Sequence, residues 1–247
     1  MTQRTIVILG ACGGIGQALV SACLAQGYAV IALDLEASFK RHALGSSVTC
    51  IAVDATRQDS LEDAAQTIRS SHGAIDGFVN LCGFADEDAD LMDRSEASWR
   101  AILDVNLNAA FFSAIALAPL IQPGGSIVQM GSDLGLLPRP GYGPYAISKA
   151  GISMLTRQLA SELAPGIRVN CVSSTAVDTE FLRGGTGHAK GDEPLRLDVE
   201  AYAQQIPLKR IAKPADISGP ILFLLSDAAA YMTGQTLHVN GGRFMAV

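Results

Sequence analysis

Three glycines early in the chain have the spacing of a turn that lets the backbone approach a pyrophosphate. Gly10, Gly14 and Gly16 follow an apolar, strand-like segment and open directly into a helical pattern. Glycine permits the sharp turn, and the unpaired N–H groups at the start of a helix attract negative charge. The spacing is G-x-x-x-G-x-G and not the general G-x-G-x-x-G, so an ordinary strand-to-helix turn is the structural alternative.

Asp34 makes this weak pattern a prediction of dinucleotide binding. It ends the second strand-like segment, 18 residues after Gly16, where an acid can hold the hydroxyls of an adenine ribose. A carboxylate there repels the 2′-phosphate that distinguishes NADP from NAD. Leu35 follows it, and the basic residues Lys40 and Arg41 come only after a predicted turn. The sequence therefore predicts NAD as the cofactor, with NADP less favoured.

Ser132, Tyr145 and Lys149 could carry acid–base chemistry beside such a cofactor. Tyr145 and Lys149 lie four residues apart in a helical pattern, so their side chains share one face. A free phenol has a pKa near ~10, and a neighbouring ammonium plus an oxidised nicotinamide is expected to lower it. Ser132 directly follows a strand, at the edge where doubly wound sheets bind ligands. A surface tyrosine beside a solvated lysine is the alternative; Tyr142 has no such cation four residues later.

The elements that must position these residues alternate along the chain. Short apolar segments recur, mostly apolar on both faces, which is typical of a parallel sheet covered by helices. Helical patterns lie between them, with long ones at about 98–120 and 145–163 and a last one at Pro214–Leu225. The predicted strands are Thr5–Leu9, Ala29–Leu33, Thr49–Val53, Gly77–Leu81, Ser126–Met130, Arg168–Val172 and Thr236–Asn240.

This alternation predicts an α/β fold. We expect a single doubly wound Rossmann-type domain over residues 1–247, with a seven-stranded, mostly parallel sheet flanked by helices. Residues 184–198 break the alternation, because they are rich in glycine and charge and lack a period. We therefore expect a flexible substrate lid at about 181–205.

Composition excludes several classes of function. A net charge of −6 and a pI near 5.2 argue against nucleic acid or an anionic membrane as the main partner. The five cysteines form no C-x-x-C pair and no histidine stands at zinc-ligand spacing, so we expect neither disulfides nor a metal site. A reduced, cytoplasmic chain fits this pattern. The apolar run Ala109–Ile121 is shorter than the ~20 residues that a membrane span needs.

On these motifs the sequence resembles the short-chain dehydrogenase/reductase family over essentially its whole length. Leu9 stands where that family usually has Thr, Asn80-Leu-Cys-Gly83 where it has Asn-Asn-Ala-Gly, and Ser174-Thr175 where it has Pro-Gly. Residues 233–242 are close to its end signature. The resemblance implies cofactor binding by Gly10, Cys12, Gly14, Ile15, Gly16, Asp34, Asp54, Ala55, Asn80, Cys82, Gly83, Tyr145, Lys149, Val177 and Thr179.

The same resemblance implies the roles of four catalytic residues. Tyr145 is expected to act as general acid/base, and Ser132 to hydrogen-bond the substrate oxygen. Lys149 is expected to hold the nicotinamide ribose and lower the pKa of the tyrosine, while Asn106 supports a water-linked proton path. The implied reaction is hydride transfer between the nicotinamide and a secondary alcohol or ketone.

Two other functions stay open at this point. One is an NADPH-dependent 3-oxoacyl-thioester ketoreductase, against which Asp34 and the negative net charge both argue. The other is a non-catalytic dinucleotide-binding sensor, which would be expected to lose Tyr145 or Lys149.

The sequence indicates the substrate and partners only in outline. The candidate pocket residues suggest a moderately apolar alcohol with some polar decoration. Arg139 could pair with a substrate carboxylate, although a solvated surface arginine is an equal alternative. The helical run 109–120 is apolar nearly all round, which predicts a homo-oligomer, a tetramer or dimer, that buries it. The pocket candidates are Phe84, Asp133, Leu134, Leu137, Arg139, Tyr142 and the lid residues 181–197.

Overall fold

The computed structural model describes residues 3–85, 89–183, 195 and 197–245. Strands and helices alternate through these residues as the apolar segments predict. The strands are β1 Thr5–Leu9, β2 Ala29–Asp34, β3 Val48–Ala52, β4 Ile75–Asn80, β5 Ile121–Ser132, β6 Arg168–Ser174 and β7 Thr236–Val239. The helices are α1 Gly14–Ala25, α2 Glu36–Arg41, α3 Gln58–His72, α4 Glu96–Leu103, α5 Ala109–Leu117, α6 Gly143–Leu163, α7 Val199–Gln204 and α8 Pro214–Leu225.

The seven strands form one parallel sheet in the order β3-β2-β1-β4-β5-β6-β7. This confirms the predicted doubly wound α/β fold. The order reverses between β1 and β4, so the chain segments that follow these two strands lead away on opposite sides. Ligands of such sheets bind at this reversal, beyond the carboxyl ends of the strands.

Alternate residues of each strand supply two separate apolar layers. Ile6 and Ile8 pack with α1 and α8 on one face, while Val7 and Leu9 pack with α3, α5 and α6 on the other. All four side chains are buried, as expected for a strand in the middle of a covered sheet. The predicted burial on both faces is wrong for β3, whose Thr49, Cys50 and Ala52 are exposed. The reason is that β3 is an edge strand.

The predicted long helix at about 98–120 is interrupted. α4 and α5 are joined by a single wide π turn, Asp104–Asn108, and a short 3-10 turn follows α5. Such turns carry one extra residue and often lie at functional sites. By length and composition alone, Glu96–Leu120 is the one helical stretch of the described chain that could cross a membrane. Its Ala109, Ala110 and Leu117 are buried in the domain, however, and a core helix passes the same test.

The predicted lid is described only at its two ends. Residues 184–194 and 196 lie outside the described part of the chain. A short 3-10 turn, Glu180–Arg183, precedes this segment, and α7 follows it. The sequence analysis missed α7, in which Asp198 accepts a hydrogen bond from the N–H of Ala201 and so caps the helix.

Removal of the Phe78 ring is expected to destabilise the domain strongly. Phe78 is a fully buried residue of β4, packed in the layer that α3 and α5 cover. Phe78→Ala should lower the free energy of unfolding by about 3–5 kcal/mol, because it loses apolar burial and leaves a cavity. Urea unfolding followed by circular dichroism measures this. Phe223→Ala on α8 is the matched control, since Phe223 is 39% exposed and should cost far less. Equal losses in the two variants would contradict this account of the core.

Candidate active site

A cleft of about 390 Å³ lies along the carboxyl ends of the strands. It extends from the glycine-rich turn after β1 to the first turn of α6. Most of the predicted site residues line it together, although they are spread over the whole chain. Those that line it are Gly10, Gly14, Ile15, Gly16, Asp34, Asp54, Ala55, Cys82, Gly83, Ser132, Tyr145, Lys149, Val177 and Thr179.

The glycine-rich turn is shaped for close approach of a ligand to the backbone. A Cβ on Gly16 would lie 2.3 Å from the carbonyl oxygen of Gly10, so a side chain cannot fit there. A Cβ on Gly14 would lie 2.5 Å from Cγ2 of Thr179. α1 begins here with neither a side-chain cap nor an acidic residue in its first turn. These features fit the pyrophosphate of a dinucleotide.

Asp34 is held rigidly beside this turn. Its Oδ2 accepts a hydrogen bond of 2.8 Å from the N–H of Cys12, and its Oδ1 accepts one of 2.8 Å from the N–H of Leu35. The carboxylate therefore lies at the end of β2 with its position fixed by two backbone donors. Each oxygen still has a lone pair that can accept from a ribose hydroxyl.

The turn that follows β5 packs directly on the backbone of α6, and this contact brings Ser132 to Tyr145 and Lys149. A Cβ on Gly135 would lie 2.9 Å from both the N of Ala150 and the carbonyl carbon of Lys149. Glycine is therefore required for this approach. Lys149 is 3% exposed and donates a hydrogen bond of 2.9 Å from Nζ to the carbonyl oxygen of Met130.

Burial moves the two titratable groups of the site towards their neutral forms. It raises the pKa of Tyr145, although a side-chain hydrogen bond with Ser132 opposes the shift; the charge of Asp133 adds to it. Burial lowers the pKa of Lys149 to about 8. In the chain alone burial has the larger effect, and the lowering expected from Lys149 together with an oxidised nicotinamide stays a prediction. Nζ lies 5.7 Å from the centre of the Tyr145 ring and bonds the main chain instead.

Of the pocket candidates, Phe84 and Leu137 do not line the cleft; of the predicted catalytic and cofactor-binding residues, three do not. Cys12 is fully buried and contributes its backbone N–H to Asp34. Asn80 donates to Oε1 of Gln129 and accepts from the N–H of Cys82, so its side chain fixes the loop after β4. Asn106, in the π turn, is fully buried, and both its Oδ1 and Nζ of Lys149 would lie 3.3 Å from a Cβ on Gly83. It bonds both the N–H and the carbonyl of Phe84, at 2.9 Å each, and also contacts the hydroxyl of Ser148.

The sequence analysis missed an ion pair at the substrate end of the cleft. Arg243 donates from Nη1 to Oδ2 of Asp133 at 2.6 Å, and its guanidinium lies 4.5 Å from the centre of the Tyr202 ring. Asp133 is 2% exposed and Tyr202 is 6% exposed. Asp133 was a pocket candidate from its place after Ser132, but no local pattern connects it with a residue 110 positions later.

Comparison with known proteins agrees with this geometry. A family model described as enoyl-(acyl carrier protein) reductase matches residues 10–243. A short-chain type dehydrogenase/reductase of Sinorhizobium fredii is 36% identical over 243 residues, 97% of this chain and 43% of that protein. A 3-oxoacyl-acyl-carrier-protein reductase of Thermotoga maritima is 34% identical over 248 residues, 97% of each chain. The present chain therefore spans less than half the length of the first relative and almost all of the second.

A solved structure leads to the same family. It is a short-chain dehydrogenase/reductase of Brucella melitensis titled glucose/ribitol dehydrogenase, and it is 32% identical with a TM-score of 0.89. The match covers 98% of this chain and 97% of that one. The fold, the cleft and these matches together indicate one class of protein, the oxidoreductases that have a Rossmann-type fold. The chain belongs to the short-chain dehydrogenase/reductase family.

The charge of buried Lys149 should make stability depend on pH in a recognisable way. In the folded chain the pKa is about 8, below the unfolded value of 10.5, so between these values the unfolded state binds the additional proton. The free energy of unfolding of the wild type should therefore rise relative to that of Lys149→Met as the pH increases from 8 to 10.5. The rise should be on the order of 3 kcal/mol.

Urea unfolding of both proteins at several pH values measures this difference. Loss of the hydrogen bond to Met130 shifts the variant by an amount that does not depend on pH, so the slope isolates the charge. A difference that stays constant from pH 7 to 10 would contradict the burial of a charged lysine.

Proposed function

We propose that the protein is an NAD(H)-dependent oxidoreductase that interconverts a secondary alcohol and a ketone. One observation supports this above all: a serine hydroxyl, a tyrosine phenol and a buried lysine ammonium converge at one end of a cleft whose other end is a glycine-rich turn. Acid–base chemistry on an oxygen needs the first two groups, and the third supplies a fixed positive charge.

The residues of this chain divide the work between binding and proton transfer. A bound nicotinamide dinucleotide would supply the group that accepts or donates the hydride. The glycine-rich turn would hold its pyrophosphate, Asp34 its adenine ribose and Lys149 its nicotinamide ribose. Ser132 positions the substrate oxygen by a hydrogen bond, and Tyr145 accepts or donates the proton at Oη. We expect Asn106 to support this transfer by fixing the loop after β4 and through a water-linked path.

The raised pKa of Tyr145 favours one direction of proton movement in the chain alone. The phenol is protonated at neutral pH, which suits a donor in ketone reduction. To accept a proton from an alcohol, it needs additional positive charge nearby, which an oxidised nicotinamide carries.

Charge also supports NAD over NADP. The carboxylate of Asp34 has its place fixed by Cys12 and Leu35, so it cannot easily move away from a 2′-phosphate. Lys40, one of the nearest basic residues, forms an ion pair of 2.6 Å with Glu36 on the surface of α2.

The names of the relatives favour a second candidate. Two related proteins, one from Thermotoga maritima and one from Staphylococcus epidermidis, are 34% and 31% identical to this chain and are named 3-oxoacyl-acyl-carrier-protein reductases. The alternative for this chain is therefore an NADPH-dependent reductase of 3-oxoacyl thioesters. A 3-oxoacyl thioester offered with NADPH and NADH tests it directly. A dinucleotide sensor without chemistry has less support, because Ser132, Tyr145 and Lys149 are all present.

We also infer a homo-oligomer, either a dimer or a tetramer. Within one chain α5 is not buried all round, since Phe111 and Ile115 are 43% and 52% exposed, and Met154 of α6 is 57% exposed. Such apolar faces are typical of interfaces between subunits. All five cysteines are unpaired thiols, which supports a cytoplasmic location.

Tyr145→Phe should abolish turnover without abolishing cofactor binding. The variant lacks only the hydroxyl that exchanges the proton, so we expect kcat to fall by about 10²–10⁴-fold. Absorbance of the reduced cofactor at 340 nm, over a panel of sugars, hydroxy acids, steroids and cyclic alcohols, measures it. Tyr231→Phe is the control, because Tyr231 is fully exposed. Turnover near the wild-type value in Tyr145→Phe would refute the assignment.

Asp34→Ala should change the choice of cofactor. Removal of the carboxylate removes the repulsion of a 2′-phosphate, so the ratio of the Kd for NADPH to the Kd for NADH should fall at least about tenfold. Fluorescence titration with each dinucleotide gives this ratio. Asp63→Ala removes the same charge from the exposed face of α3 and should leave the ratio unchanged. A wild-type chain that binds NADPH as tightly as NADH would overturn the proposed preference.

A further inference from the structure

A second cavity, of about 440 Å³, opens beside the substrate end of the cleft. The two spaces share four lining residues: Leu134, Arg139, Leu197 and Tyr202. The two spaces are therefore adjacent, and Arg139 lines the cleft that contains Ser132 and Tyr145 as well as the second cavity.

The lining of this cavity is mixed, with polar and apolar surface in similar amounts, and Tyr202 and Gln205 contribute to the polar part. The apolar residues are Leu134, Leu137, Pro138, Pro140, Leu197 and Ala201. Two arginines, Arg139 and Arg243, and one acid, Asp198, also line it. Asp198 is exposed to solvent and caps α7 through the N–H of Ala201.

The two arginines differ in the one respect that matters for a ligand. Arg243 is already neutralised by Asp133 at 2.6 Å. The side chain of Arg139 makes neither a hydrogen bond nor an ion pair with any residue of the described chain. Its contact is with the ring of Tyr142, whose centre lies 5.0 Å from its guanidinium carbon. No side chain or carbonyl of the described residues therefore occupies the five N–H donors of Arg139, which is half-buried.

Arg139 lies close to the reacting groups. The ring of Tyr142 that it contacts is 6.4 Å from the ring of Tyr145, centre to centre. The guanidinium of Arg139 thus contacts the ring of Tyr142, and that ring contacts the ring of Tyr145, the proposed acid/base. Its positive charge also acts on the hydroxyl of Tyr202, at the junction of the two spaces.

We propose that Arg139 binds the carboxylate of the substrate, which is therefore a hydroxy acid or oxo acid whose reacting carbon lies at Ser132 and Tyr145. This rests on the proposed oxidoreductase function and specifies its substrate class. A guanidinium pairs with a carboxylate through two parallel hydrogen bonds, and the apolar residues of the lining accommodate the carbons between the two ends. Because Arg243 is paired with Asp133, Arg139 offers one positive charge, which matches a monoanion better than a phosphate dianion.

The test measures binding and needs no turnover. The wild type is saturated with NADH or NADPH, whichever binds more tightly, and titrated by calorimetry with butyrate, hexanoate and octanoate. The matched uncharged probes are butyramide, hexanamide and octanamide. Arg139→Gln removes the charge, and Arg139→Lys keeps the charge without the planar fork. Arg69→Gln is the control, because Arg69 is an exposed arginine of α3, far from the cleft.

We expect at least one carboxylate to bind at least tenfold more tightly than its amide. Arg139→Gln should remove this preference and leave the amides unchanged, Arg139→Lys should restore part of it, and Arg69→Gln should behave as wild type. Equal affinity for acids and amides, a preference that survives in Arg139→Gln, or no carboxylate binding at all would overturn the proposal. If carboxylates bind through Arg139 but no compound of the panel supports hydride transfer, the proposed function fails and Arg139 remains a carboxylate-binding residue. If only uncharged alcohols or ketones are turned over, the substrate class proposed here is overturned.

Discussion

The burial of the Lys149 ammonium is the constraint on which the arrangement of the site depends. The side chain is 3% exposed, and its Nζ donates a hydrogen bond to the carbonyl oxygen of Met130. Removing a charge from water is costly unless partners compensate it, and the lowered pKa of about 8 records that cost. The residues around Nζ are correspondingly restricted: a Cβ on Gly83 would lie 3.3 Å from it. The buried ammonium lies in the same cleft as Ser132 and Tyr145, which would bind an alcohol or ketone oxygen in the proposed reaction.

The π turn between α4 and α5 gives the loop near Lys149 its shape. It aims Asn106 inward, and the amide of Asn106 satisfies both backbone groups of Phe84. The oxygen of that amide would also lie 3.3 Å from a Cβ on Gly83. One side chain from a helix thus fixes the loop that passes over the lysine.

The sequence predicts the parts of this molecule that depend on local periodicity. The bounds of β1 and α8 agree with the apolar segments residue by residue, because a covered strand and an amphipathic helix leave patterns of fixed period. The sequence does not reveal the π turn, since the stretch from 98 to 120 reads as one continuous apolar helix. It also gives no sign that Arg243 meets Asp133, because that pairing exists only after β7 lies beside β6. Sequence position placed Arg139 near the pocket, but only the structure shows that Asp133 neutralises Arg243 and that no acid of the described residues pairs with Arg139.

Burial favours the neutral form of both Tyr145 and Lys149, although it shifts their pKa values in opposite directions. It raises the pKa of the phenol and lowers that of the ammonium, so both groups are pushed towards neutrality. A ligand that brings charge into the cleft must therefore change the protonation of both, and by linkage its affinity must depend on pH. Positive charge near Oη favours the phenolate that alcohol oxidation needs, while a cleft without that charge keeps the phenol protonated for ketone reduction. If Tyr145 is the acid/base of the proposed reaction, the same buried pair would serve either direction, and the charge of the cofactor would decide the protonation state of the phenol.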